Sequence, residues 1–97
     1  MAKKKVEHNP REIDRICQLM KQMGQPTRLS ILLLLQNSSQ SFSNIRDYYL
    51  LNTSQAGISH HLMLMKHGGL VRSKRTGNEM IYELTEDARK LVKVIGV

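Results

Sequence analysis

Apolar residues recur at helical spacing over most of the chain and turn to strict alternation only after residue 70. Ile13, Ile16, Cys17 and Met20 fall at i, i+3, i+4 and i+7, which predicts an amphipathic helix with one apolar stripe. The segment before it, Asn9-Pro10-Arg11-Glu12, has the chemistry of a helix start. Asn9 can cap, proline suits the first helical position, and Glu12 completes a reciprocal capping arrangement. Gly24 ends this helix. A second is expected from Pro26-Thr27-Arg28 through Leu29 and Ile31 to Leu35, apolar nearly all round and therefore central and buried. Ser38-Ser39-Gln40-Ser41 reads as a polar connector, and Ser43 as the cap of a short third helix holding Ile45, Tyr48 and Tyr49. Asn52-Thr53-Ser54 reads as a turn, with Ser54 capping a fourth helix. That helix stops at Gly68-Gly69, where glycine supplies the left-handed exit conformation.

Leu70 to Arg75 and Glu79 to Leu84 alternate as strands around Thr76-Gly77-Asn78, a short hairpin loop, with Met80, Tyr82 and Leu84 on one face. Thr85 is placed to cap a last helix whose stripe is Ala88, Leu91, Val92 and Ile95. The predicted fold is mainly α with a small β-hairpin, in the order α-α-α-α-β-β-α. Short helices joined by a tight turn and followed by a basic hairpin describe a winged helix-turn-helix. Residues 1–8 read as a basic, flexible tail, and 9–97 as the winged-helix domain.

The 97 residues suffice for one domain and exclude a multidomain enzyme. The longest apolar run, Ile31 to Leu35, is far short of the roughly 20 residues of a membrane span. No apolar stretch follows the basic N-terminus as a secretory signal would require. The single cysteine excludes an internal disulfide and a multi-cysteine zinc site. A cytoplasmic protein without membrane contact is expected.

Charge sharpens the picture. Fifteen Lys and Arg against eight Asp and Glu leave a net charge of +7, and no acidic residue lies between Asp47 and Glu79. That interval carries Lys66, Arg72, Lys74 and Arg75 with His60, His61 and His67, the footprint of a polyanion binder. On a helix over 54–67, Ile58, Leu62 and Met65 lie within roughly 60° of one another and face the core. The outward face of the N-terminal half is Gln55, Ala56, Ser59 and His60, short or hydrogen-bonding side chains suited to base edges in a major groove. The helix N-terminus favours a phosphate near Thr53 and Ser54. Arg72, Lys74 and Arg75 sit beside a hairpin tip, Gly77-Asn78, small enough to enter a minor groove. Small polar residues can also simply coat a surface; the basic hairpin directly behind the helix favours the DNA reading.

Gly24-Gln25-Pro26-Thr27-Arg28-Leu29, then Thr53-Ser54-Gln55-Ala56-Gly57-Ile58-Ser59-His60-His61-Leu62, Gly69-Leu70-Val71, Gly77 and Ile81-Tyr82-Glu83-Leu84 resemble the ArsR/SmtB family of winged-helix bacterial repressors. The resemblance spans roughly residues 11–95. It implies a homodimer that binds an operator palindrome and represses transcription until an inducer arrives. It also implies DNA contacts from Ser54, Gln55, Ala56, Ser59 and His60 on the recognition helix, and from Arg72, Lys74, Arg75 and Asn78 on the wing. The chain departs from the family's metal elements. Ser41-Phe42-Ser43-Asn44-Ile45-Arg46-Asp47 has no thiol where a Cys-x-Cys-like element is usual, and residues 85–97 hold Glu86 and Asp87 but no histidine. No metal, cofactor or catalytic residue is expected, a site built from His8 and partner-chain residues being the one alternative. Gly57 stands where a better helix former is usual, at a cost of about 1 kcal/mol.

Adjacent helical residues point about 100° apart, so His60 and His61 cannot chelate one ion. His60 reads as a DNA contact, His61 as a hydrogen-bonded histidine at the edge of the core, and His67 as structural at a helix C-terminus. Arg28 reads as paired or phosphate-facing. Cys17 reads as a small core or interface hydrophobe, with a thiol sensor or an intersubunit disulfide across a dimer axis as the sharper alternative. Ile13, Ile16, Cys17 and Met20, with Ala88, Leu91, Val92 and Ile95, are too many apolar residues for so small a domain to cover, so they are the expected dimer interface. A two-fold axis there would set the recognition helices about 34–36 Å apart, one turn of DNA. The competing reading is a winged-helix scaffold whose basic face binds an acidic protein partner. An enzyme is disfavoured, because paired carboxylates, a nucleophile with an orienting base and a phosphate-cradling glycine loop are all missing.

Overall fold

The computed structural model describes residues 8–49 and 54–95. Along them run α1 (Pro10–Met23), α2 (Pro26–Leu34), β1 (Gln40–Ser41), α3 (Phe42–Tyr49), α4 (Gln55–His67), β2 (Val71–Thr76), β3 (Glu79–Leu84) and α5 (Glu86–Ile95). Apart from exposed His8, the expected N-terminal tail lies outside the described residues, as does Thr53.

The helix starts follow from side-chain chemistry. The Asn9 side chain accepts from the Arg11 N–H at 2.9 Å, with Pro10 in the first helical position. Ser54 Oγ accepts from the Gly57 N–H at 3.0 Å and so opens α4. The exit of α4 has the paired backbone bonds of a Schellman motif: Leu70 N to Met65 O at 2.8 Å and Gly69 N to Lys66 O at 3.2 Å. Gly69 takes the left-handed φ of 82° that this exit requires, and the flanking Met65 and Leu70 are fully buried. Thr85 then hangs α5 on the same corner. Its hydroxyl donates to Gly69 O at 2.7 Å while accepting from the Ala88 N–H at 3.2 Å.

One apolar core holds these elements. Ile31, Leu32 and Leu35 enter it from α2 and its C-terminus, Ile45 from α3, and Ile58, Leu62 and Met65 from α4. Leu70, Val71, Leu84, Ala88 and Val92 close it from the other side. None of the aliphatic residues of α2 is fully exposed, as an all-round apolar helix requires. The hairpin strands pair in register from Val71 with Leu84 to Thr76 with Glu79, which tightens the connection to Gly77-Asn78. Gly77 takes φ 61° and Asn78 stays out of the positive-φ region, the pattern of a type II′ turn.

Three expectations are corrected. Gln40 and Ser41 are a third strand, paired antiparallel with Tyr82 and Ile81, rather than only a polar connector. The sheet order is therefore β1-β3-β2, with the return strand of the wing in the middle. The cap of α3 is Ser41, whose hydroxyl accepts from the Asn44 N–H at 3.1 Å. Ser43 instead donates its hydroxyl to the Glu79 carboxylate at 3.1 Å, tying α3 to the wing. Finally, Ala88 and Val92 are fully buried in the chain's own core and leave no surface for a partner chain. In α1 the residues that meet the core are Leu19 and Met23. Ile13, Cys17 and Met20 are exposed, and Ile16 is half-buried.

Candidate nucleic-acid interface

The fully buried Ile58, Leu62 and Met65 fix which way α4 faces. With that face turned inward, Ser54, Gln55, Ala56, Ser59 and His60 are all exposed on its first two turns. The Ser54 oxygen accepts the capping bond, so its hydroxyl hydrogen is left to donate outward. The same side continues through exposed Met63, Lys66 and His67, which line a cleft of about 740 Å³ between α4 and the wing. Phe42, Met80 and Tyr82 form its apolar floor. Burial pushes the Tyr82 phenol above its ordinary value, so it stays protonated. Lys66 was overlooked as a site residue in reading the sequence, although the acid-free interval already contained it.

The wing brings Arg72, Lys74, Arg75 and Asn78 to the surface, all exposed. Alternation along β2 divides them. Arg72 and Lys74 share the outer face with Ile81 and Glu83, whereas Arg75 shares the face of Ser73, Met80 and Tyr82 that looks toward α4. Arg72 forms an ion pair with Glu83 at 3.2 Å, directly opposite it in the ladder. Lys74 and Arg75 have no carboxylate partner among the described residues. The positive charge of the wing is therefore concentrated toward its tip.

His60 and His61 occupy different environments, as their 100° separation demands. His60 is exposed; His61 is half-buried, and its Nδ1 accepts a hydrogen bond from Arg28 Nε at 3.2 Å. Burial first, then the Arg28 and His60 charges, lower the His61 pKa from the usual 6.5, so the ring is neutral at neutral pH. Arg28 is itself seated in the first turn of α2, its backbone N–H donating to Gln25 Oε1 at 2.9 Å. Among the described residues no three His, Cys, Asp or Glu side chains converge as metal ligands would, and no helix is long and apolar enough to cross a membrane.

Residues 25–73, from the start of α2 into β2, match the family described as bacterial regulatory protein, arsR family. An HTH-type transcriptional regulator of Methanocaldococcus jannaschii, MJ1325, is 33% identical over 84 residues, covering 84% of this chain and 92% of that one. The chain belongs to the ArsR family. The HTH-type transcriptional repressor SmtB of Mycobacterium tuberculosis is 33% identical over 78 residues, which are 79% of this chain and 56% of that protein. Among solved structures, the homodimeric winged helix-turn-helix DNA-binding domain of Mb0332 from Mycobacterium bovis superposes with a TM-score of 0.77. It is 24% identical, and the match covers 94% of this chain and 86% of that one. This ArsR-family chain is thus a winged-helix, DNA-binding transcriptional regulator and not an enzyme.

Proposed function

We propose that this ArsR-family chain is a cytoplasmic, homodimeric repressor that reads a pseudo-palindromic operator with α4 and grips the duplex with its wing. The observation that carries the reading is the exposed face of α4, turned outward by its buried opposite face and flanked by wing cations. Gln55, Ser59 and His60 are the base-reading side chains, and Ala56 leaves room for a thymine methyl. Ser54 and the free N–H groups of the first turn hold a phosphate, with Thr53 beside them in the chain. Lys74, Arg75 and Asn78 contact the backbone from the wing. Arg72 contributes least, since Glu83 offsets its charge.

The dimer is proposed on the outer faces of α1 and α5. Met20 is 57% and Val94 83% exposed, and with Leu29, Leu91 and Ile95 they border an apolar groove of about 270 Å³. Ile13, Ile16 and Cys17 extend the same surface. The homodimeric state of the Mb0332 domain, built on the same fold, supports a dimer; the exposed apolar groove supports its position. Operation without the family's thiol metal site is proposed from the stretch 41–47, where Ser41 caps α3, Ser43 holds Glu79, and Arg46 pairs with Asp47.

Selection of bound duplexes from a random pool tests the whole reading. It should recover two inverted half-sites whose centres lie about 10–10.5 base pairs apart or a multiple of that spacing. Recovery of no consensus, or co-purification with an acidic protein and no DNA, refutes it.

A further inference from the structure

Buried Ile58, Leu62 and Met65 set which face of α4 turns inward, but apolar contact with α2 is non-directional and constrains the last few degrees of rotation least. Side-chain tips sit about 5–6 Å from a helix axis, so a rotation of α4 by about 10° displaces them by about 1 Å. That is enough to carry a base-edge hydrogen bond outside the range of about 2.7–3.2 Å. A directional contact sets that last increment of rotation in a helix that reads bases.

The described structure offers one such contact between these helices. Arg28, anchored through its backbone to Gln25, donates from Nε to His61 Nδ1 across 33 positions of chain. His61 lies in the turn that carries Ser59 and His60, immediately beside core residue Leu62. We propose that the Arg28–His61 hydrogen bond is the positioning contact of the recognition helix, setting its rotation so that Gln55, Ser59 and His60 face the bases together. This rests on the DNA-reading role of α4 given above.

The bond needs a neutral ring. Protonated Nδ1 becomes a donor, and guanidinium has no acceptor to offer it. The charges acting on the ring are Arg28 from α2 and His60 from its own helix. On α3, Arg46 and Asp47 hold each other, and on β2 Arg72 is held by Glu83. Protonation of His61 therefore sets it against Arg28, with no carboxylate among the described residues acting on the ring to compensate.

The test compares two side chains of nearly equal shape, His61→Asn, which keeps an acceptor near the Nδ1 position, and His61→Leu, which has none. Neither changes the charge at neutral pH. On the selected operator, His61→Leu should bind about 10–100-fold more weakly than wild type, the effect of one lost hydrogen bond in each of the two subunits. His61→Asn should stay within about twofold, and both should bind random duplex as wild type does. Helix propensity ranks leucine above asparagine, so this order cannot come from helix stability. As pH falls below the ordinary histidine value of 6.5 and through the lowered His61 titration, wild type should lose operator affinity relative to His61→Asn. That comparison needs only these two proteins and stands even if His61→Leu fails to fold. Equal operator affinity for the Asn and Leu variants, or parallel pH profiles for wild type and His61→Asn, overturns the proposal. A wild-type chain that binds operator and random duplex alike refutes instead the reading role of α4, and this proposal with it.

Discussion

Replacing Gln55 by alanine separates base reading from phosphate binding. Gln55 is the first residue of α4, exposed, and its side chain has no hydrogen-bond partner among the described residues. Its truncation should therefore leave folding stability within about 0.5 kcal/mol of wild type. One bidentate base contact is worth about 1–3 kcal/mol, and a symmetric dimer makes two, so operator binding should weaken by about 2–6 kcal/mol. Binding to random duplex should not change. The opposite behaviour is expected of the double variant Lys74→Ala and Arg75→Ala. These side chains are exposed on opposite faces of β2 and lack carboxylate partners among the described residues. Losing even one phosphate contact per subunit should flatten the log–log salt dependence by about 2 and weaken operator and random duplex alike. Fluorescence anisotropy titrations of both duplexes at several salt concentrations measure all four quantities. A Gln55→Ala variant that loses equally on both duplexes, or a wing variant with an unchanged salt slope, refutes this division of roles.

Gly69→Ala should destabilise the fold by about 1–2 kcal/mol, the cost of a left-handed L-residue. Its φ is 82° and the nearest atom to a new Cβ, Leu19 Cδ2, is an unobstructing 3.7 Å away, so an unchanged melting temperature would contradict the backbone explanation. Val94→Asp should convert the dimer to a folded monomer in sedimentation experiments, because Val94 is 83% exposed within one chain; a stable dimer would place the interface elsewhere. His61 makes stability depend on pH. Its folded pKa lies below the usual 6.5, so the unfolded chain takes up the proton first, and stability is full above that value and falls as pH drops through the lowered one. Thermal melts across this range should show a smaller acid loss for His61→Asn than for wild type, and identical losses would refute the assignment.

Much of this architecture was legible locally. The spacing of Ile58, Leu62 and Met65 is enough to orient α4, and Asn9, Ser54 and Thr85 announce helix starts through side chains that can reach the first free N–H groups. Gly77-Asn78 marks the hairpin for a similar reason, since only glycine enters the required φ freely. What escaped reading depends on partners far away in the chain. Two residues cannot display alternation, so β1 is recognisable only by its pairing with β3. Ser41 and Ser43 are equivalent candidates to cap α3 until Glu79, 36 positions on, takes the Ser43 hydroxyl. The stripe of α5 gives an angle but not a neighbour. Ala88 and Val92 turned out to face the chain's own core, while Leu91 and Ile95 border the groove together with Val94, which lay off the expected stripe. Arg72, Lys74 and Arg75 stood out by their charge, and charge could not foresee that Arg72 would be held by Glu83.

Amide chemical shifts of the isotope-labelled chain, recorded with and without a selected operator duplex, test the placement of DNA most directly. The largest changes should cluster at residues 54–60 and at the wing tip around 74–78, leaving the outer faces of α1 and α5 unaltered. Changes confined to α1 and α5, with the start of α4 undisturbed, would contradict it.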